Sequence, residues 1–418
     1  MNTSLLEQEL NKTQFVGCSG ILIGDALHFS LIEKVTLKEG ILSFLKLIRN
    51  EFAEIYKIKV KGSPKVAFIF SSSYRLRNDF KESFICLAES LENYLLILCE
   101  NYHIGKPKRT FWLLGKWYRS LGKLENVKLS LTEKLYIISL VQQLYCNNYE
   151  IENILKKYQS QIENVISVCD VMPVDSFVMQ RVKAKGIKTI TLQHGTFNVG
   201  HYAYTHCKCD WFLAHSKFSI INAWKSGMKL SRLYPIGTLN NLLKNGLHKD
   251  NVKNTIGILL GGSVLTSQDI ELVKMVKRYA KKYNKRVIAK LHPAWGIDRY
   301  PKGTFHGITR VYSDDINIIE FAKLTDCTVD DGSTVFVEYA SMMHPDFTYI
   351  HEHSPYKGDE KIHLTFYSYE GMETLFNMES NCDDRLNQMM VENKKYLSTE
   401  IGTVELFRKF CRDVLEVN

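Results

Sequence analysis

Short apolar runs, set apart by polar, glycine- or proline-marked breaks, organise this chain, and beyond residue 164 they alternate with helical spacing. Val165 to Val168 reads as a strand, Val174 to Lys185 behind Pro173 as a helix that Gly186 stops, and Ile187 to Leu192 as the next strand. Trp211 to Ala214 repeats the strand and Ser216 to Ser226, closed by Gly227, repeats the helix. A second series opens with the strand Thr255 to Leu260, the basic helix Gln268 to Tyr283 and the strand Arg286 to Leu291. It continues through a strand at Ile308 to Val311, helices at Ile316 to Leu324 and Thr334 to Met343, and a strand at Phe347 to Ile350. Ahead of residue 164 the pattern is less regular. It predicts a strand near Gly20 to Ile23, a helix from Glu39 to Tyr56, a strand from Lys65 to Phe70, and helices over Phe80 to Leu98 and Leu131 to Tyr145.

Strand-helix alternation buries a parallel sheet between helices, so the expected class is α/β with two Rossmann-like domains. Asn240 to Asn254 is polar, holds five Asn residues and reads as the linker. The predicted domains are residues 1–240 and 252–395, with a C-terminal helix in 396–418 packing back on the first domain. A length of 418 residues suits two cores, and a hydrophobic fraction of 45% excludes wholesale disorder.

A net charge of +9 favours polyanionic partners: nucleotide phosphates, anionic lipid, acidic glycans or nucleic acid. No helix-turn-helix, RRM or zinc-finger pattern is present, so nucleic acid is not the expected partner. The first residues form no signal peptide, no apolar run approaches the ~20 residues of a membrane span, and the ten cysteines follow no disulfide spacing. These features together predict a cytoplasmic protein, either free or at the inner face of the membrane.

Candidate chemistry gathers where strands end. Gln193-His194-Gly195-Thr196 follows a β-branched strand and puts an imidazole at the carboxyl edge, where α/β sheets bind ligands. A histidine there also serves simply to bond backbone. Gly261-Gly262-Ser263 lies between strand and helix, suited to phosphate or to a plain turn. Lys290-Leu-His292-Pro293 ends another strand with an exposed imidazole. Asp331-Gly332-Ser333-Thr334 sets two hydroxyls at the positive end of a helix that carries Glu338 one turn on.

In this order the three stretches His194-Gly-Thr196, Lys290-Leu-His292-Pro293 and Asp331 to Glu338 resemble the signatures of bacterial surface-polysaccharide transferases. These include CDP-glycerol glycerophosphotransferases, capsule Kdo transferases, and bacterial sialyl- and polysialyltransferases. The resemblance covers residues 164 to 352. It implies a GT-B fold, two Rossmann-like domains facing a cleft, with the nucleotide donor on the C-terminal one. His194 would be the general base on the acceptor hydroxyl, with Gln193, Gly195 and Thr196 on the acceptor side. Gly261, Gly262, Ser263, Lys290, His292, Pro293, Asp331, Gly332, Ser333, Thr334 and Glu338 would form the donor side. Within that set, His292, Ser333 and Thr334 would hold phosphate and Glu338 would face the ribose. No cofactor or metal is expected, in keeping with the lack of a DxD motif.

The reading implied is transfer of a sugar from a CMP- or other nucleotide-sugar to a hydroxyl of a glycan or lipid-linked glycan. Its rivals are a CDP-polyol phosphotransferase, a non-hydrolysing nucleotide-sugar epimerase and a basic non-enzymatic binding protein. Two further clusters stand apart from these stretches. His201, His206, Cys207 and Cys209 lack the Cys-x-x-Cys spacing of zinc sites. Lys106 to Arg119 interleaves cations with aromatics, suited to a solvated helix or to peripheral membrane contact.

Overall fold

The computed structural model describes residues 2–16, 18–19, 21–49, 53–71, 78–103, 111–158, 161–238, 254–261, 266–292, 296–313, 315–352 and 354–417. Seven strands form a first sheet: β1 (Ala53–Lys61), β2 (Val66–Phe70), β3 (Tyr94–His103), β4 (Asn164–Ser167), β5 (Lys188–Leu192), β6 (Trp211–Ala214) and β7 (Leu233–Pro235). Their order is β1-β3-β2-β4-β5-β6-β7, parallel except where β1 runs antiparallel to β3 at the edge. A second sheet holds β8 (Thr255–Leu260), β9 (Arg286–Leu291), β10 (Arg310–Tyr312), β11 (Cys327–Asp330), β12 (Asp346–Tyr349) and β13 (Thr365–Phe366). It is parallel throughout, in the order β10-β9-β8-β11-β12-β13. The strand order reverses between β8 and β11, which makes the carboxyl ends of those two strands the topological switch point.

The first domain's helices are α1 (Thr3–Lys12), α2 (Ile23–Leu27), α3 (Leu37–Arg49), α4 (Asn78–Glu89), α5 (Phe111–Leu121), α6 (Leu131–Lys156), α7 (Pro173–Lys183), α8 (Tyr202–Thr205) and α9 (Lys217–Lys225). The rest are α10 (Thr266–Tyr283), α11 (Ile318–Lys323), α12 (Val335–Met342), α13 (Tyr369–Ser380), α14 (Asp384–Leu397) and α15 (Thr403–Val414). Side chains of a buried strand alternate between two cores. Val66, Phe68 and Phe70 of β2 enter one, while Ala67 and Ile69 enter the other with α6 and α7. Helix α15 returns to the first sheet, where Phe407, Phe410 and Cys411 pack beside Phe68 and Phe84. No helix among the described residues is long and apolar enough to cross a membrane.

Several predicted elements differ. Of the strand expected over Gly20 to Ile23, Gly20 lies outside the described residues, and Ile21 and Leu22 lead instead into α2, whose Ala26 and Leu27 are core residues. The helix expected to reach Tyr56 ends at Arg49, and Tyr56 lies in β1. The helix expected to reach Leu98 ends at Glu89, and Tyr94 onward is β3, apolar from Tyr94 to Cys99 and paired with β1 on one side and, over Leu95 to Leu98, with β2 on the other. The stretch 240–254 read as the linker lies outside the described residues, apart from Asn254.

Candidate functional site

Strand β5 is buried beyond its exposed first residue, Lys188, and leads to Gln193, whose side-chain amide braces the turn at the strand's end. Its Nε2 donates to the Gly195 carbonyl (2.6 Å) and its Oε1 accepts the His215 backbone N–H (2.9 Å). The His215 imidazole donates through Nε2 to the Gln193 carbonyl (2.7 Å), and burial holds its pKa down at about 4, so it is neutral. Gln193, expected on the acceptor side, is thus 1% exposed and ties the turn from behind. His194 projects from this braced turn, half-buried, with its ring 5.0 Å from the Phe197 ring. Phe197 in turn stacks on His201 at 4.3 Å.

Two residues on, the turn crosses to the second sheet. The Thr196 backbone N–H donates to Thr334 Oγ1 at 2.9 Å, so the histidine turn abuts the first turn of α12 although 138 residues separate them in sequence. A Cβ on Gly195 would lie 3.7 Å from the same oxygen.

On the second sheet a buried carboxylate builds the loop. Asp330 Oδ1 accepts the N–H groups of Gly332 (2.5 Å) and Ser333 (2.7 Å), while Oδ2 accepts the Thr348 hydroxyl (2.9 Å). The backbone then turns through Gly332 at φ +100°, a left-handed conformation that glycine takes without strain. Ser333 Oγ accepts the Val335 N–H (3.3 Å), and the Tyr356 hydroxyl donates to the Ser333 carbonyl (2.8 Å). The Ser333 and Thr334 hydroxyls use their oxygens as acceptors within the fold, and among the described residues neither proton is donated to a partner. The backbone N–H groups of Gly332 and Ser333, two residues expected on the donor side, are committed to Asp330. No sequence pattern signals this, because an aspartate two residues before a glycine is ordinary turn chemistry.

Asp331 stands at the switch point. Its Oδ1 accepts the Gly261 N–H (3.2 Å), and a Cβ on residue 261 would lie 2.5 Å from that oxygen, so a larger residue would displace the Asp331 carboxylate. Beside it lies Asp269, which receives the Tyr300 hydroxyl (2.7 Å). Burial, reinforced by the neighbouring Asp331 charge, raises Asp269 to about 8, and burial raises Asp331 to about 6. A bond between two carboxyls requires a shared proton, which Asp269 holds at neutral pH. Asp330 and Asp346 form a second such pair, both raised first by burial. His351, reached from β12, closes the loop by donating through Nε2 to the Asp331 carbonyl (2.9 Å). Asp269, Asp330, His351 and Tyr356 escape sequence reading because no motif spacing links them.

The remaining predicted residues divide. His292 follows β9 and is half-buried. Lys290, expected to face the donor, is 6% exposed and its Nζ donates to the Ser313 carbonyl (2.5 Å), linking β9 to the end of β10. Glu338, expected to face the ribose, is 6% exposed within α12, whose residues Phe336 to Ala340 are all buried. Gly262, Ser263 and Pro293 lie outside the described residues. Cys207 and Cys209 are buried thiols with pKa values pushed well up by burial, and His206 stacks on Tyr202 at 3.9 Å.

No protein-family model and no curated sequence matches the chain. Solved structures do. A UDP-GlcNAc 2-epimerase from Neisseria meningitidis bound to UDP-GlcNAc aligns at TM-score 0.55 and 11% identity over 84% of this chain and 99% of its own. A putative UDP-N-acetylglucosamine 2-epimerase from Listeria monocytogenes aligns at 0.55 and 10% over 85% and 98%. The S. aureus MnaA–UDP co-structure aligns at 0.53 and 11% over 85% and 98%. The chain has the GT-B fold. At these identities the likeness concerns architecture: two parallel-sheet domains whose strand ends meet, as the Thr196–Thr334 bond shows.

Proposed function

We propose that the protein is a glycosyltransferase that moves a sugar from a nucleotide-activated donor to a hydroxyl of a surface glycan. The observation that carries this reading is the hydrogen bond from Thr196 to Thr334, which sets the His194 turn against the start of α12. In the proposed reaction the donor phosphates sit at the switch point, over Gly261 and before the Ser333 and Thr334 hydroxyls, with His292 as a further donor. The acceptor oxygen attacks the sugar's anomeric carbon, His194 takes the acceptor's proton, and the bond from that carbon to the phosphate oxygen breaks. Hydroxyl protons and the helix dipole then stabilise the leaving nucleotide.

The site's own carboxylates favour such metal-free binding. Asp330 and Asp331 are buried and already accept backbone N–H groups, which leaves them poorly placed to ligate an ion. Lys290 and Glu338 have no part in this proposal.

Turnover of a nucleotide sugar with and without glycan acceptor, in the native protein and in His194→Ala, tests it. Acceptor-dependent release of nucleotide is expected, and His194→Ala should bind nucleotide normally while losing about 10²–10⁴-fold in rate. Turnover of the donor alone, with no acceptor, would indicate an epimerase. A stable and fully active His194→Ala protein would remove His194 from the chemistry.

A further inference from the structure

Helix α3 is built inside out. A surface helix ordinarily turns its apolar stripe to the core and its polar face to water. In α3 the small residues Gly40 and Ser43 face the protein, and a Cβ on Gly40 would lie 2.9 Å from Thr132 Cβ of α6. Among the described side chains the large apolar residues point away: Leu37, Ile41, Leu42, Phe44 and Leu45 are 40–70% exposed. Positions 37, 41, 44 and 45 recur at helical-face spacing, so the exposure forms one stripe.

The surface beside it has the same character. Leu131, adjoining Thr132 at the start of α6, is 61% exposed, and Trp112 of α5 is 59% exposed. Helix α5 also packs on α6, and cations lie over its aromatic rings from α5 itself and from α6. Lys116 Nζ lies 4.6 Å from the Trp112 ring, and Lys134 Nζ lies 4.9 Å from the Tyr118 ring. Lys34, Lys38, Lys116, Arg119, Lys123 and Lys128 are exposed around these helices. Of the acids in the same segments, Glu33 and Glu125 stay exposed, whereas Glu39 and Glu133 fold back on their own helix starts. Glu39 accepts from the Thr36 N–H (2.6 Å) and hydroxyl (2.8 Å), and Glu133 accepts from the Ser130 N–H (2.8 Å) and hydroxyl (2.8 Å). The exposed apolar and aromatic side chains of α3, α5 and the start of α6 are therefore accompanied by exposed cations with few exposed acids in the same segments.

We infer that α3, with α5 and the start of α6, docks the protein on an anionic lipid bilayer. The stripe enters the headgroup boundary while the lysines and arginine meet lipid phosphates. A second copy of the chain fits the same face poorly, because a twofold contact would set these cations against their own counterparts. The inference goes beyond the transfer reading and stands or falls apart from it, since vesicle binding needs no donor or acceptor.

Sedimentation of the full chain with vesicles tests it, comparing phosphatidylcholine alone with an equal mixture of phosphatidylcholine and phosphatidylglycerol. The protein should pellet with the anionic vesicles, and less so as salt rises. Ile41→Asp/Phe44→Asp should lower the partition coefficient about a hundredfold, since two large apolar side chains no longer enter the interface. Lys116→Glu/Arg119→Glu should lower it at least about tenfold. All four positions are exposed, so unchanged melting temperatures would show that the variants remain folded. Failure to pellet with anionic vesicles, or pelleting that neither double variant alters, would overturn the inference. So would a solution dimer that Ile41→Asp/Phe44→Asp converts to monomer, because the stripe would then serve a second copy.

Discussion

Thr334 joins the two halves of the candidate site through one oxygen, which receives the Thr196 N–H across 138 residues of sequence. Thr334→Val removes that acceptor and keeps the shape, so it should cost about 1–3 kcal/mol for the N–H left without a partner. Thr334→Ser should restore most of the loss, as read by melting temperature and nucleotide affinity together. Equal behaviour of the two variants would deny the bond its role. Asp269 supports a second prediction at this scale. The folded protein holds a proton there up to about pH 8, and Asp331 is raised to about 6, whereas an unfolded aspartate releases its proton near pH 3.9. The native state thus binds more protons, so this contribution is complete below about pH 4 and is lost as pH rises through 6 to 8. Melting temperature should fall over that range. Asp269→Asn should flatten the fall, because its amide can donate to Asp331 and accept from Tyr300; a native melting temperature that rises across the range would contradict the assignment.

Among elements, those with a flagged start and stop were legible in the sequence, and those without were not. Pro173 and Gly186 frame α7, and β5 and β9 are short β-rich runs between such marks, so their ends, with His194 and His292, could be placed. Only Ser90 and Asn93, with no glycine or proline, mark the break before Tyr94 to Leu98, and its leucines suit either state; pairing with β1 and β2 decides for a strand. The loop around Ser333 was legible as a helix start, but not the buried Asp330 that organises it, since burial and cross-strand contact with Thr348 come only from the sheet. The return of α15 makes an element-scale prediction. Phe407 is fully buried against Phe68 at 5.9 Å, so Phe407→Ala should destabilise the first domain by about 3–5 kcal/mol although it lies near the end of the chain. Hydrogen exchange should show the loss in β2 and β3; faster exchange confined to the second sheet would contradict this packing.

At the level of the whole molecule, the GT-B architecture brings the carboxyl edges of two sheets to one place, where a histidine turn from the first meets the helix start and glycine turn of the second. The net charge of +9 suits an anionic ligand there and an anionic surface at α3, and the two uses draw on different elements. The central claim is that the switch point between β8 and β11 receives the phosphates of a nucleotide donor. Thermal-shift titration of the full chain with CMP, CDP, UDP and GDP tests it most directly. One nucleotide should raise the melting temperature by mass action, equivalent to about 2.7 kcal/mol at a hundredfold excess over its Kd, and Ser333→Ala should weaken that response. A melting temperature that none of the four nucleotides moves would contradict the claim.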